Sequence, residues 1–273
     1  MKKIISTIIF SLLLTSLIFI GFLTYNGAKE YENKTTEIVK TQNIKDLTKS
    51  NLKNITSKIS FGWFKNKAKE KIEEIKQKKE IIGKNNFMNI IYFSLLVIII
   101  LLSYFFIDLK SFNIFGSLMT IIILIYGLIT PLLMVTIHKD VDYIGDVVLS
   151  FESKSLIGSI SKLFESGDYV IASIIILFSV IIPLFKTISL FLISIFQDNF
   201  FTHKLIGFFK LIGKWSMLDV FVVAVLLVFL SANKGDISKA EVEVGLYIFV
   251  LYVISSMFIS LSADKMIKQI KGI

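Results

Sequence analysis

Two charges stand inside runs that are otherwise apolar enough to cross a bilayer. Lys186 lies well inside 169–195, and Asp219 lies near the start of a run that continues to residue 230. Holding one charge near a bilayer centre costs at least about 2.5–3.5 kcal/mol on insertion scales. Opposite charges on consecutive spans therefore point to partners that face a protein or water interior. There an ammonium holds an anion, and a carboxylate takes up or releases a proton. Ser179, Pro183, Lys186 and Ser189 fall close to one helical face, and Pro183 cannot donate to residue 179, so a kink with a free carbonyl is expected there. The last apolar run carries Tyr252, Ser255, Ser256 and Ser260, again toward one side. A polar path lined by Lys186, Asp219, Ser179, Pro183, Ser216, Ser255 and Ser256 is the functional reading.

Plainer roles compete. Ser216-Met217-Leu218-Asp219 has the form of a capping box, with Ser216 at the N-cap and Asp219 three residues on. Lys186 has a stem long enough to snorkel toward an interface. The two charges also suit a purely structural pair that fixes helix packing. Capping and pairing are compatible, because a carboxylate has several lone pairs.

The elements that must position these residues are membrane helices. The chain has 273 residues, 54% of them hydrophobic, and a mean hydropathy of +0.74. Six apolar runs follow one another at 4–23, 89–107, 114–137, 169–195, 217–230 and 244–261. An all-α polytopic membrane protein of about six transmembrane helices is expected. The first run is read as an uncleaved anchor, with a signal peptide ending near Gly27-Ala28 as the alternative. There is no Cys, and the two His, at 138 and 203, lie in different connections. Disulfides, thiol catalysis and zinc ribbons are excluded, and a His-based metal site is disfavoured. Nothing pairs a nucleophile with a base or cradles a phosphate, so no enzyme, cofactor or nucleic-acid partner is expected.

Charge supplies the orientation. Residues 1–3, 198–214 and 264–273 each carry a net +2, whereas 138–168 carries −3 and 232–243 carries −1. By the positive-inside rule both termini are cytoplasmic. Residues 26–87 hold fifteen Lys against eight Asp and Glu, a net +7, and break the pattern by being basic and outside. Within this segment Phe64, Ala68, Ile72, Ile75 and Ile82 draw a thin apolar stripe, suited to a helix with one narrow buried face. That face rests on the protein's own membrane domain, or it docks a partner or anionic lipid. In the outer connection, 147–151 reads as a short extended piece. Leu156, Ile160, Leu163 and Phe164 form a stripe behind Ser153 and Ser155, either of which can cap a helix. Residues 204–214 read as a short basic amphipathic helix at the inner surface. Pro131 reads as a kink or helix terminus.

Four stretches carry a family likeness. They are Ser150-Phe151-Glu152-Ser153-Lys154-Ser155, Leu163-Phe164-Glu165-Ser166-Gly167-Asp168-Tyr169, Phe178-Ser179-Val180-Ile181-Ile182-Pro183-Leu184-Phe185-Lys186 and Gly213-Lys214-Trp215-Ser216-Met217-Leu218-Asp219-Val220-Phe221. In order and spacing they resemble the paraquat-inducible protein A family of bacterial inner-membrane proteins. The resemblance covers 112–264 as one four-span unit. Together with the hydropathy and charge pattern it gives the expected layout: 1–25 anchor, 26–87 Lys-rich outer segment, 88–111 additional span, 112–264 family unit and 265–273 basic tail. It further implies a multi-pass inner-membrane protein that helps move phospholipid between inner and outer membranes. The implied partner is a periplasmic mammalian-cell-entry domain protein, to or from which lipid is loaded or extracted. In that setting a lipid phosphate is the anion for Lys186. Better-known relatives contain two units and Cys-based zinc ribbons; this chain has one unit and no ribbon. Metal binding does not carry over, and a homo-oligomer is the expected substitute for the second unit. A non-transporting scaffold or regulator that anchors the periplasmic partner is the rival reading.

Overall fold

The computed structural model describes residues 2–51, 58–141, 145–196 and 238–271. The fold is a helical membrane bundle closed at one end by a small sheet. Helices α1 (Lys2–Asn51) and α2 (Lys58–Leu102) run first, and a short 3-10 turn (Ser103–Phe105) leads to α3 (Leu109–Ile129). Strands β1 (Leu133–Val141) and β2 (Gly145–Lys154) precede α4 (Leu156–Glu165). The next rod is α5 (Tyr169–Ile176), a π-helical turn (Leu177–Ile181) and α6 (Ile182–Ile195). Strand β3 (Ser238–Val242) then leads into α7 (Val244–Lys271). Five helical segments among the described residues are long and apolar enough to cross a membrane. The expected span at 217–230 and the basic helix at 204–214 lie outside the described residues.

Residues 26–87 are not a module standing apart from the spans. α1 continues unbroken from its apolar half to Asn51, and α2 returns unbroken from Lys58, so two spans extend directly into an antiparallel hairpin. Lys79 stands over the ring of Tyr31 at 4.4 Å, which fixes the register of the pair. Ile72 and Ile75 of the thin stripe are buried, as is Ile38 of α1. Ile72 and Ile75 are thus spent within the molecule, because two long, highly charged helices need some shared apolar seam to stay paired.

The run 114–137 ends as a helix sooner than its hydropathy suggests. α3 stops at Ile129, and Thr130 turns extended at φ −77° and ψ 142° ahead of Pro131. Proline disfavours the helical region for the residue before it and cannot itself donate within a helix. The remaining apolar residues become β1, which pairs antiparallel with both β2 and β3 in the order β2-β1-β3. The extended piece expected at 147–151 lies within β2. Ser155, not Ser153, caps α4: its hydroxyl accepts from the Gly158 amide at 3.0 Å, while Ser153 is a strand residue. Leu156 and Ile160 are buried, but Phe164 is 39% exposed, so the inner stripe of α4 stops short of it. Lys162 of α4 pairs with Glu152 of β2. Gly167, at φ +85°, makes the turn into α5, a conformation that a side chain would strain.

Two apolar clusters set the direction of the helices. One joins Leu128, Leu156, Ile160, Leu246 and Tyr252, with Ile176, Val180 and Leu184 packed against it. The other joins Phe112, Leu190, Ile193, Ile259, Ala263 and Met266. The start of α3 therefore lies with the ends of α6 and α7, and its end lies with their beginnings near the sheet. α6 and α7 run parallel to each other and antiparallel to α3.

Candidate functional site

Between the two apolar clusters each of the three helices turns polar. α3 contributes Ser117 and Thr120, with Asn113 farther along beside Met266 of the second cluster, α6 contributes Lys186, Thr187 and Ser189, and α7 contributes Ser255 and Ser256; each is no more than 3% exposed. On α3 the spacing of three and four puts all three polar residues on one face. Gly116 lets α7 approach there, since a Cβ would overlap Ile259. The result is a polar layer across the middle of an otherwise apolar bundle.

Lys186 is 2% exposed and lies in the centre of the buried face of α6, between Pro183, Ser189, Leu190 and Ile193. A snorkelling lysine would leave its head group at the surface of the protein, so that role does not hold. Ser179 and Pro183 are buried on the same rod. The expected simple kink at Pro183 is instead a five-residue π-helical turn just before it. Such turns absorb the missing proline donor by widening the helix.

The Pro183 carbonyl, which a regular helix would bond to a backbone amide alone, accepts side-chain donors. Thr187 Oγ1 donates to it at 2.8 Å, and the Tyr252 hydroxyl of α7 donates to it at 3.4 Å. The Thr187 and Tyr252 hydroxyls lie 3.5 Å apart. α6 and α7 are thereby joined by a polar contact at the edge of the layer. Because the helices run in parallel, the three residues from Pro183 to Lys186 and from Tyr252 to Ser255 advance both by about 4.5 Å. Lys186 and the Ser255–Ser256 pair therefore occupy one level. Among the described residues the Ser255 and Ser256 hydroxyls have no hydrogen-bond partner, and neither does Asn113 Oδ1. Buried polar atoms nearly always find one, so the layer has unused bonding capacity.

Ser216 and Asp219 lie outside the described residues. Of the residues singled out by sequence, Ser179, Pro183, Lys186, Ser255 and Ser256 fall on two helices joined through Tyr252. Sequence reasoning missed Asn113, Ser117, Thr120 and Thr187. Their signal was the three- and four-residue spacing of small polar side chains within the run that became α3. It also missed Glu243, the residue before α7. Glu243 is 8% exposed, and burial first, then the charge of Glu241, push its carboxyl up to about 7 against the pull of Lys79. Tyr31 of α1 bonds Glu241 at 3.3 Å, so hairpin, sheet and α7 meet at this joint.

The sequence model of the paraquat-inducible protein A family matches residues 145–267, from the first residue of β2 to near the end of α7. The match contains Lys186, Ser255, Ser256 and the π turn, whereas α3, although it completes the polar layer, lies before it. The chain is also similar to the intermembrane transport protein PqiA of Escherichia coli K12, with 27% identity over 127 residues. That alignment covers 44% of this chain and 30% of the relative. The proteins of the same description from Escherichia coli O6:H1 and Shigella flexneri give the same figures. The chain thus spans less than a third of the length of these curated relatives. No solved structure matches it.

Proposed function

We propose that this chain is an inner-membrane component of a system that moves phospholipid between the inner and outer membranes. It works with a mammalian-cell-entry domain protein of the periplasm, to or from which lipid is loaded or extracted. The observation that carries this reading is the polar layer that α3 forms with the family-matched helices, with Lys186 buried in it. An enclosed ammonium beside unbonded serine hydroxyls suits the phosphate of a lipid head group, which offers several acceptor oxygens to both. The name of the PqiA relatives, an intermembrane transport protein, supports the same direction.

In this reading Asp219 is the counter-charge to Lys186, and Ser216 caps the helix that carries it. Protonation of Asp219, or phosphate binding at Lys186, shifts the packing of α6 against α7. Both termini are cytoplasmic, the sheet is on the periplasmic side, and a second copy supplies the unit that two-unit relatives carry in one chain. The test is phospholipid co-purification and transfer from proteoliposomes. Wild type retains phospholipid and passes it to the periplasmic protein; Lys186→Met inserts normally and does neither. A wild-type protein that binds the periplasmic partner but neither retains nor transfers lipid overturns the reading. The alternative, a scaffold that anchors and regulates that partner, is favoured by one observation: α1 and α2 each run on past the spans as long paired helices suited to holding another protein.

A further inference from the structure

The charge of the hairpin is unevenly distributed along its length. In the stem, residues 27–39 and 72–86, six Lys face six Glu and the net charge is zero. In the distal half, residues 40–51 of α1 and 58–71 of α2, eight Lys stand against Asp46 and Glu70, a net +6. A hairpin that needed charge only for solubility would have no reason to confine the excess to its end.

A second observation concerns the other residues there. Ile59, Trp63 and Lys67 follow one another at four-residue spacing, which places them along one face of a helix. Trp and a long aliphatic residue among lysines is the composition of an element that settles at a bilayer interface. Lysine, in contrast, is depleted in protein–protein interfaces.

Position excludes the membrane that the protein spans. α1 meets the sheet at Tyr31, and Asn51 lies twenty residues farther along the same continuous helix. At about 1.5 Å per residue the end stands roughly 30 Å beyond that joint. This is several times the screening length of about 8 Å at physiological salt. We propose that the distal half of the α1–α2 hairpin is a docking surface for a second, anionic phospholipid bilayer, held by its lysines and anchored by Trp63. The inference does not rest on the transport reading.

The test places the full chain in phosphatidylcholine nanodiscs and mixes these with separate vesicles for flotation. Vesicles containing phosphatidylglycerol capture the discs, capture fades as salt rises from about 0.1 M to about 0.5 M, and phosphatidylcholine vesicles capture none. Each lysine near an anionic surface contributes about a fivefold change, so replacing Lys65, Lys67 and Lys69 with Gln weakens capture by roughly 100-fold. Trp63→Ser weakens it further. Elution volume and helical content match wild type in both variants, and phospholipid co-purification is unchanged, which separates this result from the fate of Lys186. A fluorophore on Asn66→Cys reports which membrane is touched: a spectral shift in phosphatidylglycerol discs alone, without vesicle capture, overturns the proposal. So does equal capture by neutral vesicles, wild-type capture by the lysine variant, or binding only to an acidic protein.

Discussion

At the residue scale, the account rests on hydroxyls and one amine enclosed where helices normally bury hydrocarbon. Tyr252 shows how such a group is held. Its hydroxyl reaches the Pro183 carbonyl from another helix, sharing with Thr187 an oxygen that has two lone pairs. Tyr252→Phe removes that bond and leaves the ring in place. A typical net hydrogen-bond contribution of about 0.5–1.5 kcal/mol is expected to be lost, read as a lower thermal midpoint in detergent. The same change loosens α6 from α7 and weakens lipid retention more than a distant substitution of equal destabilisation. Lys186 was legible in the sequence as a lone charge in an apolar run. Its enclosure was not, because a lysine at that depth can equally snorkel, and only its burial in the folded protein removes that choice.

At the element scale, the helices were visible through hydropathy, whereas their ends and the sheet were partly hidden. The run 114–137 looks continuous because hydropathy does not distinguish a membrane helix from a buried strand, and Pro131 alone marks the change. The outer segment was legible as helical from its stripe. What covers the stripe was not, since periodicity reveals a buried face but not its partner; the partner is α1. The joint between hairpin, sheet and α7 has a pH dependence of its own. Just before α7, Glu243 faces Glu241 of β3 and Glu32 of α1, which oppose its charge, and Lys79 of α2 and the Val244 amide, which favour it. Its folded carboxyl titrates at about 7, above the ordinary value of 4.5. The unfolded chain loses this proton first, so stability falls as pH rises from about 4.5 to about 7 and levels off above it. The full difference is on the order of 3 kcal/mol. Glu243→Gln flattens the profile and raises the thermal midpoint at pH 8 relative to wild type. A midpoint that is pH-independent in the wild type contradicts this description of the joint.

At the scale of the whole molecule, the polar layer and the sheet-capped end give the bundle two distinct faces. The chain enters α7 from the sheet end and leaves α6 at the other. The proposed orientation rests on the loop charges and is tested by single cysteines in this Cys-free chain: Ser161→Cys is expected to react with an impermeant thiol reagent in spheroplasts, and Gly272→Cys is not. The family was legible from four short stretches, because their order and spacing constrain more than any one of them. The contribution of α3 was not legible, because its polar residues lie before the matched range. The central claim is that the enclosed charge serves lipid movement and does more than hold helices together. The most direct measurement is phospholipid transfer from proteoliposomes by the neutral double variant Lys186→Met, Asp219→Asn. Removing one charge of a buried pair costs several kcal/mol, while removing both is often tolerated, so the double variant is the one expected to stay folded. The account predicts a well-folded protein that transfers no lipid; wild-type transfer by that protein would contradict it.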